Sequence, residues 1–134
     1  METHAKGSFE VKMTPQTWSE SPVDNTLGRF LLDKQYHGDL EATSQGQMLS
    51  GGDVQKGSAG YVAIEKVTGN LQGRTGSFIL QHNGIMNRGV PQLTITIVPD
   101  SGSGELTGVG GTMAIQIAEG KHSYELTYTL ATIQ

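Results

Sequence analysis

The chain has no cysteine, few aromatic residues and no long apolar run. Without cysteine, its 134 residues offer no disulfide framework, no thiolate nucleophile and no zinc–thiolate site. The N-terminal residues lack a charged segment followed by an apolar one, and no apolar stretch approaches the length that spans a membrane. We therefore expect a soluble, cytoplasmic protein that has no membrane partner.

Charge is also scarce, since Asp, Glu, Lys and Arg make up 16% of the residues and the net charge is −4. The nine Lys and Arg residues are scattered, whereas nucleic-acid binding requires a clustered basic face. Nucleic acid is therefore excluded as a predicted partner. The length fits a single domain, residues 1–134, which is long enough to bury a core. The 19 glycines indicate many tight turns.

Alternating apolar and polar residues predict an all-β chain. Residues 8–13 show the pattern clearly, because Phe9, Val11 and Met13 fall on one face. Seven more strand-like segments follow, at residues 27–35, 36–48, 60–68, 75–83, 93–98, 105–118 and 122–132. Residues 14–25 are predicted to connect the first two strands, with Trp18 as a plug.

Eight strands of this length hide their edges most simply by closing on themselves. No segment of ten or more residues shows helical periodicity between caps, so the strands are expected to be antiparallel. We predict a single eight-stranded, mainly antiparallel β-barrel, with a β-sandwich as the alternative.

Apolar residues on both faces of several strands predict a homo-oligomer. In strand 75–83, Phe78 and Leu80 lie on one face and Ile79 on the other. Two sets compete for the inside of the barrel: Val62, Ile64, Ile79, Ile95 and Ile97 against Tyr61, Phe78, Leu80, Thr94 and Thr96. The set that faces outward leaves a patch that a monomer rarely exposes, so we expect a dimer or trimer with closed symmetry.

Glu65 is the first candidate site residue, because it shares a strand face with Tyr61 and Val67. If this face lines the lumen, loss of hydration raises the pKa of Glu65 and makes it a candidate acid, base or ligand anchor. Pairing with Arg74 would lower that pKa again. The alternative role is a paired, purely structural carboxylate.

His82 is the second candidate, because it shares a face with Leu80. It is predicted either to transfer protons or to serve as a hydrogen-bonded wall histidine. Tyr61, Tyr124 and Tyr128 are the other polar groups predicted to contact a ligand, together with Arg74. Substitution of Glu65 or His82 is expected to weaken ligand binding without unfolding the barrel.

Neither a metal nor a cofactor is predicted. His37, Asp39 and Glu41 would share a strand face by period two, but such a row is usually the solvent side of a sheet. The glycine-rich run at residues 102–111 lacks the Gly-Lys-Ser/Thr sequence and leads into a strand, so it is neither a P-loop nor a dinucleotide fingerprint.

Four motifs resemble those of a bacterial family. They are His37-Gly-Asp-Leu40, Gly73-Arg-Thr-Gly-Ser-Phe-Ile-Leu-Gln-His82, Ser101-Gly-Ser-Gly-Glu-Leu-Thr-Gly-Val-Gly-Gly111 and Tyr124-Glu-Leu-Thr-Tyr128. In this order they are similar to the domain of unknown function 3224 family. The resemblance implies an allene oxide cyclase-like barrel, a fold shared with plant cyclases and dirigent proteins, whose apolar lumen holds a flexible ligand. It implies no accepted activity and no catalytic residues.

Three function classes remain. The first is a barrel that binds a small apolar or amphipathic molecule in its lumen. The second is a cofactor-independent cyclase or isomerase, and the third is a filled barrel with an assembly or interaction role. We rank binding first, because it requires only a lumen with a few convergent polar groups, whereas catalysis also requires a matched pKa and a reactive pose.

Overall fold

The computed structural model describes residues 2–16 and 26–130. Of the connection predicted at residues 14–25, Thr14 and Pro15 instead belong to the first strand, and the part with Trp18, residues 17–25, lies outside these ranges. The last residues of the strand predicted at 122–132 also lie outside them. Within them the chain forms nine strands and one short 3-10 turn, Val54–Lys56. The strands are β1 Thr3–Pro15, β2 Leu27–Gly38, β3 Leu40–Asp53, β4 Ser58–Leu71, β5 Arg74–Asn87, β6 Val90–Ile97, β7 Ser103–Gly104, β8 Val109–Ala118 and β9 Lys121–Leu130. No helix in the described ranges is long and apolar enough to cross a membrane.

Eight of these strands close into an antiparallel barrel. Each strand from β1 to β5 pairs with the next, β6 then pairs with β8, β8 with β9, and β9 returns to β1. The two-residue strand β7 pairs with the first part of β5, which β6 does not reach. The predicted eight-stranded antiparallel barrel is confirmed, and the chain does not form the alternative sandwich.

Strand register decides which side chains enter the lumen. His82 pairs directly with Ile95, and residues opposite each other share a face of the sheet. Ile95 and Ile97 therefore face inward and are at most 2% exposed. Val62 and Ile64 of β4 face outward and are about half exposed. The two competing sets predicted from the sequence were thus wrongly grouped, because alternation within one strand does not determine the face used by another.

One end of the barrel is filled by side chains. Leu40, Leu71 and Leu106 are almost fully buried there, beside the turns that join β2 to β3 and β4 to β5. They belong to a continuous apolar core that extends along the lumen to Phe78 and Ile95. We call this the closed end.

The opposite end is less tightly joined. Along the described chain, β6 and β8 pair only through Ile95 with Met113 and Thr96 with Thr112. Towards Val90 on β6 and the end of β8, no further ladder pairs connect the two strands. The barrel wall therefore has a seam at this end, which we call the open end.

The polar row predicted at His37, Asp39 and Glu41 is broken by a turn. Gly38 ends β2 with a φ of +106°, a conformation that favours glycine, and β3 begins two residues later. His37 Nε2 lies 2.8 Å from a Glu10 carboxylate oxygen, so its nearest carboxylate comes from another strand. Among the described residues there is no group of three or more histidine, cysteine or acidic residues arranged to hold a metal ion.

Candidate functional site

A buried carboxylate lies at the centre of the lumen. Glu65 is 0% exposed and its two oxygens contact four polar side chains. Oε1 accepts hydrogen bonds from the Tyr36 hydroxyl at 2.6 Å and the Ser44 hydroxyl at 2.7 Å. Oε2 lies 2.7 Å from Lys34 Nζ and 2.6 Å from His82 Nε2. All four partners are themselves buried, and we call these five residues the Glu65 cluster.

Four neighbouring strands build this cluster through their register. Lys34 of β2 pairs directly with Ser44 of β3, so both point into the lumen at the same level. Glu65 of β4 pairs with Gly46 of β3, and a Cβ at Gly46 would lie only 2.0 Å from the Ile64 carbonyl oxygen. Glycine at position 46 thus lets β3 approach β4 closely beside the carboxylate.

The cluster holds Glu65 ionised. Burial alone would raise the pKa of this carboxyl, but hydrogen bonds from His82 and Lys34, together with the charge of Lys34, lower it to about 2. Burial and the nearby Glu65 charge raise the pKa of Tyr36, so its hydroxyl stays protonated and donates to the carboxylate. Because Oε2 can only accept, His82 Nε2 carries the hydrogen of that contact, and Nδ1 of a neutral His82 is an acceptor.

An apolar cavity lies next to the cluster at the open end, within the seam between β6 and β8. Its volume is about 460 Å³. The larger side chains that line it are Met48, Tyr61, Ile85, Met86, Leu93, Ile115 and Ile117. None of the described residues that line this cavity carries a charged side chain; its polar side chains are neutral.

Tyr61 connects the cavity with the Glu65 cluster. Its ring lines the cavity, and its hydroxyl lies 3.5 Å from His82 Nδ1, at the outer limit of a hydrogen bond. The ring crosses over Gly84, where an added Cβ would lie 2.3 Å from a ring carbon. Burial, and then the charge of Glu65, raise the pKa of Tyr61, so the group between cavity and cluster is a neutral hydroxyl.

Comparison with known proteins places this chain in a family. A family model described as protein of unknown function (DUF3224) matches residues 5–128. The chain belongs to the DUF3224 family. A crystal structure of a DUF3224 protein of unknown function from Shewanella oneidensis MR-1 is 50% identical, with a TM-score of 0.92, and the match covers 99% of this chain and 100% of that one. A comparison with curated proteins found no match.

The description of the DUF3224 family names no activity, and the residues of this chain show which predicted site residues come together. Three of the predicted ligand-binding residues come together, since Glu65 contacts His82 and His82 lies beside Tyr61. Arg74 does not join them: it is exposed at the start of β5, near the closed end. The cationic side chain that pairs with Glu65 is Lys34, on β2.

The other two predicted residues of this DUF3224 chain support the closed end. The Tyr124 hydroxyl accepts a hydrogen bond from the Leu40 backbone N–H at 2.9 Å and donates to the His37 carbonyl at 3.0 Å, which ties β9 to the turn between β2 and β3. The Tyr128 hydroxyl donates to the side-chain carbonyl of Gln72. Neither tyrosine lines the apolar cavity.

Sequence reasoning missed Lys34, Tyr36 and Ser44 of the cluster. Two strands were predicted at 27–35 and 36–48, which placed Lys34 and Tyr36 on different strands, whereas β2 continues to Gly38. Within β2, Leu32, Lys34 and Tyr36 alternate as buried residues. The sequence signal that was available is Lys34, a lysine at a position where alternation along the strand predicts a buried apolar residue. Such a buried lysine indicates an anionic partner.

Proposed function

We propose that this protein binds a small, uncharged, mainly apolar molecule at the open end of its barrel. In this proposal the apolar part of the ligand fills the cavity, and one neutral polar group reaches the Tyr61 hydroxyl. The observation that carries the proposal is a cavity of about 460 Å³ whose described lining has no charged side chain. That volume lies within the range of about 300–1,000 Å³ that is usual for small-molecule sites.

The charge distribution supports an uncharged ligand. In the Glu65 cluster the charge of Lys34 is already matched by that of Glu65, and all four partners of the carboxylate are hydrogen-bonded to it. A charged ligand group in the cavity would lose hydration without gaining an opposite charge. A hydroxyl or carbonyl group would gain a partner in Tyr61, which both donates and accepts.

We propose two further properties of this protein. The first is kinship with allene oxide cyclase-like barrels, which is supported by the four sequence motifs and by the closed eight-stranded architecture. The second is a cytoplasmic location, which fractionation of the host's cells tests.

Two fluorescent probes of similar shape test the proposal directly. N-phenyl-1-naphthylamine is neutral, whereas 1-anilinonaphthalene-8-sulfonate carries a sulfonate on the same aromatic framework. We expect the neutral probe to bind at least about 10-fold more tightly, because the sulfonate would lie unpaired in the cavity. Equal affinities, or a preference for the sulfonate, would contradict an uncharged ligand.

Two neighbouring positions on β6 give a matched pair of variants. Leu93 lines the cavity, whereas Thr94 follows it on the outward face and is exposed. Leu93→Trp should fill the cavity and abolish binding of the neutral probe, while Thr94→Trp makes a similar increase in size outside and should leave binding unchanged. Native mass spectrometry of protein purified from its own host, followed by denaturation, would then identify the co-purified molecule.

The second candidate function is a cofactor-independent isomerase, which one observation favours. The Glu65 carboxylate accepts from His82 Nε2, so in the neutral tautomer the other ring nitrogen, Nδ1, faces the Tyr61 hydroxyl as a candidate base. Incubating the co-purified molecule in deuterated water tests this role: an isomerase would exchange carbon-bound hydrogen with wild type and not with His82→Gln. Absence of exchange in wild type, with probe binding intact, leaves binding as the function.

A further inference from the structure

We infer that the outward wall of β2 to β5 near the open end binds a second copy of this chain, forming a two-fold symmetric dimer. This surface, which we call the outer face, is built by six aliphatic side chains that are 41–52% exposed. They are Leu27, Leu31, Leu49, Val62, Ile64 and Ile85.

Strand register makes the outer face continuous. Its side chains form three rows across the sheet, because directly paired residues lie side by side on the same face. The rows are Leu31, Gln47, Ile64 and Gln81; then Arg29, Leu49, Val62 and Asn83; then Leu27, Gly51, Gly60 and Ile85. Among these twelve residues only Arg29 is charged, so the face is apolar and otherwise neutral.

The outer face is complementary to itself. Leu49 and Val62 form a ridge in the middle row, while Gly51 and Gly60 in the next row leave a groove of about 320 Å³. A two-fold axis can lie in the plane of the interface and run between the ridge row and the groove row. Rotation about this axis places the ridge of each copy over the groove of the other. Because of this symmetry the contact between ridge and groove forms twice, once from each copy to the other, as an isologous interface requires.

The area and charge of the outer face suit a second copy. A stable interface needs about 800 Å² from each partner, of which about 60% is apolar. Six half-exposed aliphatic residues, at roughly 80–100 Å² each, supply about that apolar share. The chain as a whole carries a net charge of −4, whereas the only charged residue in the three rows of the outer face is Arg29, so association through this face leaves the acidic side chains in water.

Sedimentation equilibrium at micromolar concentrations tests the dimer. We expect wild type to approach twice the chain mass of 14.3 kDa. Val62→Glu places a charge at the centre of the outer face and should raise the dissociation constant by about 100-fold or more. Gln116→Glu adds the same charge on an exposed position of β8, on the opposite wall, and should leave the mass unchanged.

A mixing experiment keeps the inference testable even if a variant is destabilised. Under the proposed symmetry the two copies of position 62 lie near the axis, within reach of long side chains. Val62→Glu and Val62→Lys should each be monomeric and should associate when mixed. A monomeric wild type, an assembly larger than a dimer, a dimer that survives Val62→Glu, or a mixture that stays monomeric would each overturn the inference. Binding of the neutral probe is measured separately, so loss of the dimer does not decide the proposed ligand site.

Discussion

Replacing Glu65 with glutamine should strongly destabilise the barrel, contrary to the expectation from the sequence, because the structure buries this carboxylate against Lys34. The amide can keep the geometry, because its oxygen can accept from Lys34 and His82 while its NH₂ group donates to the hydroxyls of Tyr36 and Ser44. It cannot replace the negative charge. Lys34, whose side chain is only 6% exposed, would then be a buried cation without a counter-charge.

The expected cost can be estimated in two ways. Removing one partner of a buried ion pair costs about 3–5 kcal/mol. Independently, lowering the pKa of Glu65 from 4.5 to about 2 on folding corresponds to a stabilisation on the order of 3 kcal/mol at neutral pH. Because a domain of this kind has a total stability of about 5–15 kcal/mol, Tm should fall by roughly 10–20 °C.

Urea unfolding and thermal melts of four proteins measure this effect. Glu125→Gln is the matched control, because Glu125 is a half-exposed carboxylate near His4 and Lys6 and should cost less than about 1 kcal/mol. The double variant Lys34→Met, Glu65→Gln should recover stability relative to Glu65→Gln, since the methionine removes the unpaired cation. If Glu65→Gln costs no more than Glu125→Gln, the reasoning about a buried ion pair is refuted.

Two further predictions follow from the same site. Folding lowers the pKa of Glu65, so the contribution of this carboxylate to stability is complete above the unfolded pKa of 4.5 and is lost as the pH falls toward about 2. The urea concentration at the unfolding midpoint should therefore drop over this pH window in wild type, and it should drop less in Glu65→Gln. Gly84→Ala should push the Tyr61 ring out of place and weaken neutral-probe binding, whereas Gly110→Ala, where an added Cβ meets nothing within 4 Å, should bind the probe like wild type; unchanged binding in Gly84→Ala would contradict the position given to Tyr61.

The barrel could be predicted from the sequence because each strand carries its own signal. In β9, Tyr124, Leu126 and Tyr128 alternate with less buried residues, and the structure shows that same alternation. The two hairpins that follow β4 and β5 turn at Gly73 and Gly89, which adopt positive φ angles. Strand number and antiparallel order therefore follow from local patterns.

The composition of the site could not be predicted in the same way. The alternation of side chains along a strand predicts that Glu65 and Val67 share a face, but it does not predict which residues on other strands lie at the same height in the barrel. The partner Lys34 is 31 residues away in sequence, and it reaches Glu65 only because the registers of β2, β3 and β4 are combined. Arg74 was the nearer cation in sequence, yet it lies several residues along β5 from the level of Glu65.

The proposed dimer and the proposed ligand site share one section of wall. Five residues border both the outer groove and the inner cavity: Ser50, Gly60, Tyr61, Gly84 and Ile85. Two of these residues are glycines, so at those positions only the backbone separates the groove from the cavity. A second copy seated in the groove would restrict the backbone whose inner side contacts the ligand. We expect this restriction to couple the two binding events, and thermodynamic linkage then requires that each bound probe change the dissociation constant of the dimer by the factor by which dimerisation changes the dissociation constant of one probe.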